Sequence, residues 1–228
     1  MNKLVLNLNK SKFMVITHQK HNSPSILMNG SLIDRTSDIR FLGINIDSSL
    51  TFPNHSYKIG KTLSRNIGIL YRISTYMPSS VLAQLYFSFV QSHICFGLPV
   101  WGCCAPTNLS RIKNLRFRSA QLCGVDLTSL NFESMYEYTC IVKFMKDFVF
   151  SNYLDLSNLI PQHYYNTRHR LNLNMNIPPI RKTRCKQSFI YNSIHFWNNL
   201  PDRIRNSDSI CSLKTNLKKY LLTRQNSN

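Results

Sequence analysis

The residues best placed to do chemistry in this sequence are cations. Lys58, Lys61, Arg65 and Arg72 stand at offsets of 0, 3, 7 and 14, a spacing that gathers side chains on one helix face along about 20 Å of axis. Arg111, Lys113, Arg116 and Arg118 follow, with no acid between Trp101 and Val125. From Leu156 to Pro201 six Lys or Arg residues, Arg168 and Arg170 among them, occur without one Asp or Glu. A solvated helix face interleaves both signs in i, i+4 pairs. Here the pairing acids are missing, and a polyanion is the natural counter-charge. Phosphate contacts of this kind give affinity that is strongly salt-dependent and nearly blind to base sequence. Tyr164, Tyr165 and His169 are candidates for base stacking, whereas aromatics at helical spacing are expected in the core.

Reaction chemistry is harder to find. A polymerase or nuclease using two metals needs at least two carboxylates converging on both ions. The 10 acids are scattered, with no D-D or D-x-D element. Asp34 and Asp38 lie in turn-like sequence, and Glu133 with Glu137 has ordinary helical spacing. The 7 cysteines contain no C-x-x-C or C-x-x-H pair, so zinc is not expected and reduced, mostly buried thiols are. Cys185 and His195, ten residues apart, are no more than a chance pairing of thiol and base. No G-x-G-x-x-G, G-x-x-x-x-G-K-[ST] or G-x-S-x-G occurs, which excludes the usual phosphate-cradling loops and the serine-hydrolase elbow. We therefore expect no catalytic residue, no metal site and no small-molecule cofactor in this chain.

The elements that must position the cations follow from composition and period. With 228 residues, 43% hydrophobic and only 17% charged, the chain has ample material for a core despite its net charge of +18. The first residues lack a secretory apolar stretch, and the most apolar window, Val81 to Trp101, is broken by Gln84, Gln91, Ser92 and His93. A buried core helix is expected there and no membrane span. Lys12–Thr17 is β-prone, Ile26–Met28 and Ser31–Ile33 flank the hairpin dipeptide Asn29-Gly30, and Phe41–Ile46 is a third apolar run, together predicting a small antiparallel meander. After Pro53 the period lengthens to that of a helix from about 54 to 76, with Ile59, Leu63, Ile67, Leu70 and Tyr71 on one stripe. Helices from the Ser79-Ser80 cap to about Cys95 and from Pro106 to about Cys123 follow, then two at 131–138 and 140–157, and two short ones at 188–199 and 212–222. The architecture expected is α+β: a β part at 1–52, a helical part at 53–125 and a basic helical extension at 126–228.

Four blocks, in this order, resemble the region downstream of the catalytic motif in reverse transcriptases of jockey-like non-LTR retrotransposons. The first is Leu6-Asn7-Leu8-Asn9-Lys10-Ser11-Lys12-Phe13-Met14. The second is Phe41-Leu42-Gly43-Ile44-Asn45-Ile46-Asp47, continuing through Leu50-Thr51-Phe52 to His55 and Gly68-Ile69-Leu70. The third is Leu85-Tyr86 followed by Val100-Trp101-Gly102. The fourth is Tyr165-Asn166-Thr167-Arg168, Trp197-Asn198-Asn199-Leu200-Pro201 and Ser212-Leu213-Lys214. Together they cover nearly the whole chain.

The resemblance implies roles for particular residues. Lys10 is the candidate for a lysine near the incoming nucleotide's phosphates. Phe41, Leu42 and Gly43 resemble the strand and turn that grip the primer 3′ end, where a small residue lets backbone approach nucleic acid closely. Residues 1–52 would be a palm remnant and 53–125 the thumb, whose basic face holds an RNA–DNA or duplex template-primer. In the family the paired aspartates that bind Mg²⁺ precede the Asn7 block, so the expectation is a truncated RNA-directed DNA polymerase fragment, inactive alone, with Mg²⁺ belonging to a complete family member. Ser11 and Phe52 stand where Thr and Trp are commoner. An intracellular location is expected, and a nuclear one is implied by where such elements integrate. The alternative left open by charge alone is a stand-alone basic nucleic-acid-binding or interaction protein without a polymerase role.

Overall fold

Asn29 and Gly30 both adopt positive φ, 52° and 78°, which is the type I′ turn that matches the right-handed twist of the strands it joins. They connect β2 (Leu27–Met28) to β3 (Ser31–Leu32) in antiparallel register, with Met28 opposite Ser31. The computed structural model described here covers residues 7, 10–16, 24–125, 130–147, 174–177, 179–180 and 183–226. The strand β1 (Lys12–Phe13) pairs in parallel with β4 (Asp34–Arg35), so the three β-prone runs do not form a continuous meander. Among the described residues the β part is instead three two-stranded sheets.

The third run also departs from expectation, because Phe41–Ile46 is not one strand. Leu42 and Gly43 take φ of 46° and 89°, a second tight turn. It folds the run into a hairpin of β5 (Asp38–Phe41) and β6 (Ile44–Asp47), with Phe41 opposite Ile44 and Asp38 opposite Asp47. Gly43 adopts its φ freely, while Leu42 is held there with its side chain 79% exposed.

Among the described residues every element from Pro53 on is helical, giving the expected α+β class. The first and longest helix is α1 (Pro53–Ile73), followed by α2 (Ser79–Tyr86), which continues through a π-helical stretch, Phe87–Gln91, into α3 (Ser92–Cys95). Pro78, not Ser79 or Ser80, occupies the position preceding α2, and no side chain caps it. Next come α4 (Leu98–Trp101), α5 (Pro106–Leu122) and α6 (Phe132–Met145). The residues expected to form helices at 131–138 and 140–157 run as one through Thr139, Asn131 accepting from the Ser134 N–H at 2.8 Å as the N-cap. Residues 148–157 lie outside the described ones. The remaining helices among the described residues are α7 (Thr183–Lys186), α8 (Phe189–Asn198), α9 (Asp202–Arg205) and α10 (Ile210–Asn226).

The core runs from Phe52 through Leu63, Leu70, Tyr86, Ile94 and Trp101 to Ile141, Trp197 and Leu221. Ile59, Leu63 and Leu70 are buried as the α1 stripe requires, but Tyr71 is 70% exposed and off the core. The tryptophan blocks have structural causes. Trp101 is fully buried and donates its indole N–H to the Phe96 carbonyl at 2.8 Å. A Cβ on Gly102 would stand 2.5 Å from Tyr136 Cδ2 and 2.7 Å from the Leu98 carbonyl, so α4 meets α6 only because residue 102 has no side chain. Beside buried Trp197, Asn198 clasps the Met175 backbone, accepting from its N–H at 2.9 Å and donating to its carbonyl at 2.8 Å. Among the described residues no helix is long and apolar enough to cross a membrane.

Candidate nucleic-acid interface

The entrance to α1 is organised by Asp47, the last residue of β6. Its carboxylate accepts from the Phe52 N–H at 2.6 Å, the Thr51 N–H at 3.0 Å, the Thr51 hydroxyl at 2.7 Å and the Ser49 hydroxyl at 2.5 Å. A carboxylate at this end also complements the helix dipole. Burial by itself would raise the Asp47 carboxyl; the donors from Ser49, Thr51 and Phe52 together outweigh it and hold the group at about 2. One turn on, buried His55 uses Nδ1 to accept from the Asn45 N–H at 3.4 Å and sets its ring edge-on to Trp101 at 5.7 Å. Its Nε2 is buried without a partner among the described residues. Burial, with the nearby Lys58 charge, lowers its affinity for a proton. The neutral ring therefore ties hairpin to helix.

This fixed geometry creates a groove. The hairpin lies along one wall, α1 forms the floor, and the α3 region closes the far side through His93 and Phe96. The groove has a volume of about 870 Å³ and is lined by Arg40, Lys58, Lys61 and Arg65, with no acidic side chain in its wall. Gly43 lies on the same wall, where a Cβ would approach the Phe96 ring to 3.2 Å. Lys58, Lys61 and Arg65 are exposed and advance about 10 Å along α1. The helical stripe and the turn that resembled a primer grip, separate in sequence, thus face one channel. Arg72 is exposed farther along the same helix, beyond the lining.

The other expected cations divide. Arg111 and Arg118 are exposed and line a second groove of about 430 Å³ between α1 and α5, with Ser64 and Asn114. Lys113 is instead ion-paired with Glu133 and sits over the Phe132 ring at 5.4 Å. Arg116 corrects the expectation of a basic surface: it is 7% exposed and donates to the Leu130 carbonyl at 2.6 Å, with Gln91 Oε1 at 3.4 Å. Five residues after Arg111 is about 140° round the helix, which turns Arg116 into the core. Lys10 is exposed on a single turn closed by its own N–H to the Asn7 carbonyl at 3.2 Å, and does not line the groove. Phe41 and Leu42 project at the hairpin tip, 60% and 79% exposed. Arg168 and Arg170, with Tyr164, Tyr165 and His169, lie outside the described residues. Arg40, His55, His93 and Phe96 were not selected by charge spacing: Arg40 comes from β5, His55 from the first turns of α1, and His93 and Phe96 from α3 and its C-terminal end.

Among the described residues no three His, Cys, Asp or Glu side chains converge to hold a metal ion. Several acids have evident structural partners: Asp47 caps α1, Asp38 accepts from Asn54 at 2.8 Å, buried Glu137 pairs with Arg224, and Asp202 pairs with Arg205. All seven cysteines are free thiols, and burial pushes Cys140 up to about 12.

Comparison with known proteins adds one relative. Over 114 residues, 49% of this chain, the sequence is 25% identical to an RNA-directed DNA polymerase from mobile element jockey of Drosophila funebris. The match spans 12% of that protein's length. No family model and no solved structure matches the chain. About half of this chain is therefore similar to part of a reverse transcriptase.

Proposed function

We propose that this protein is a polymerase-related piece that binds an RNA–DNA or duplex template-primer in the groove between the β5–β6 hairpin and α1. The observation that carries the reading is the shared channel: Gly43 of the turn and Lys58, Lys61 and Arg65 of α1 line one groove whose lining holds no acid. An acid-free basic channel attracts the sugar-phosphate backbone, and Gly43, whose positive φ makes the turn and whose missing side chain admits the Phe96 ring, sets the hairpin beside it. In this reading residues 53–125 act as a thumb, Phe41–Gly43 guide a primer end, and the bond-making carboxylates belong to another part of the polymerase. The similarity to the jockey polymerase supports a polymerase-related origin. The groove supplies grip and orientation, with no proton transfer or metal step assigned to its residues.

The test is binding of a labelled RNA–DNA hairpin by the full chain and by Lys58→Gln/Lys61→Gln/Arg65→Gln. The variant should bind at least about tenfold more weakly, whatever the base sequence. Equal affinity for the two proteins would overturn the assignment.

A further inference from the structure

The second groove, on the other flank of α1, has a different composition. Tyr57 is 62% exposed, and the guanidinium carbon of Arg111 lies over its ring, 5.9 Å from the centroid. Arg111 reaches this position by crossing α1 at Gly60, where a Cβ would meet its Nε at 3.3 Å and its Cδ at 3.4 Å. The absence of a side chain at residue 60 thus leaves the arginine its path to the aromatic ring. Arg111, Asn114 and Arg118 then follow at offsets of 0, 3 and 7 on α5, one helix face about 10 Å long. The groove itself is lined by Arg111, Asn114 and Arg118 with Ser64, Ser110 and Leu115, and no acid; Tyr57 is outside that lining and adjoins it through Arg111. The Ser64 and Ser110 hydroxyls donate to the Gly60 and Thr107 carbonyls. The Asn114 amide and the Arg118 guanidinium have no hydrogen-bond partner among the described residues.

An exposed aromatic face stiffened by an overlying guanidinium, followed by an open amide and a second cation, suits an unpaired nucleotide better than a duplex. A base can stack on Tyr57 only if it is not already stacked and paired, and its phosphates then fall along the arginine side of the groove. We propose that the Tyr57–Arg118 groove is a second nucleic-acid site, specific for single strands, with Tyr57 and Arg111 as the stacking platform and Arg118 as a phosphate contact. Asn114 faces the base edge. The site rests on the reading of the protein as a nucleic-acid binder, but uses none of the residues that line the hairpin groove.

The experiment measures fluorescence anisotropy of the full chain with three probes: an oligothymidylate, the same strand carrying abasic positions, and a duplex hairpin without overhangs. Tyr57→Leu should weaken oligothymidylate binding about tenfold, and leave duplex binding within about twofold. Tyr57→Phe, which keeps the ring, should restore the loss. The abasic strand should bind wild type as weakly as the intact strand binds Tyr57→Leu. Lys58→Gln/Lys61→Gln/Arg65→Gln should show the converse, losing the duplex and keeping the single strand. Equal binding of intact and abasic strands to wild type, or indifference to Tyr57→Leu, would overturn the stacking site while leaving the hairpin groove standing. Binding of neither strand nor duplex would overturn both assignments. Because Tyr57 is exposed, its variants should melt with wild type, and a matched melting curve separates lost binding from lost fold. An oligouridylate run alongside reads the preference between RNA and DNA.

Discussion

The Asn45 N–H donates to Nδ1 of His55 at 3.4 Å, across the junction between the hairpin and the helix that form the groove. A protonated ring has no acceptor to offer there, and the buried site beside Lys58 disfavours the charge. In the folded protein His55 therefore binds its proton below the unfolded value of about 6.5. The unfolded chain takes up the extra proton, so this contribution to stability is fully present above about pH 6.5 and is lost as the pH falls below it. Chemical denaturation of wild type and His55→Gln between pH 8 and 5 checks this. The difference in stability should shrink as the pH drops, and parallel curves would contradict it.

Asp47 works in the opposite titration range. Its folded value of about 2 lies below the ordinary carboxylate value, so it stabilises the fold above about pH 4 and that contribution disappears as the pH falls through about 2. Asp47→Asn should cost on the order of 2 kcal/mol at pH 7 and less at pH 3. Urea melts at the two pH values measure it.

Two glycines should respond in opposite directions. Gly102→Ala places a methyl 2.5 Å from Tyr136 and 2.7 Å from the Leu98 carbonyl, and backbone cannot step aside cheaply, so a loss of about 2 kcal/mol or more is expected. Gly68, within α1, has nothing within 4 Å of its Cβ position, and Gly68→Ala should stabilise by roughly 0.5–1 kcal/mol. Thermal melts of both variants report the signs.

The hairpin at Asn29-Gly30, the span of α1 and the starts of α5 and α8 were legible because each rests on local chemistry: a turn dipeptide, an apolar period, a proline or a serine cap. The turn at Leu42-Gly43 was implied by the family resemblance but not by local pattern, because leucine carries no turn signal although its φ is 46° there. Parallel pairing of Lys12–Phe13 with Asp34–Arg35 is a long-range contact that no local pattern encodes. The α1 stripe of the candidate site was legible from spacing. Arg40 and Phe96 were not singled out, because they reach the groove from elements whose docking is tertiary. The displacement of Arg116 round the helix from Arg111 and Arg118 is the signal that marks it as inward-facing.

Arg116 and Lys58 should accordingly separate stability from binding. Arg116→Met removes the donor that satisfies the Leu130 carbonyl and should cost about 1–3 kcal/mol, with the salt dependence of duplex binding unchanged. Lys58→Gln should leave the melting temperature near wild type and weaken the duplex. Paired melting and anisotropy curves decide between them.

If Lys58, Lys61 and Arg65 hold a sugar-phosphate backbone in the hairpin groove, the salt dependence of duplex affinity must carry their charge. For about four phosphate contacts, wild-type affinity should fall about a hundredfold between roughly 50 and 200 mM salt. The logarithmic slope should lessen by about three on replacing the three cations with Gln. A wild-type slope near zero, or one that the triple replacement leaves intact, would contradict it.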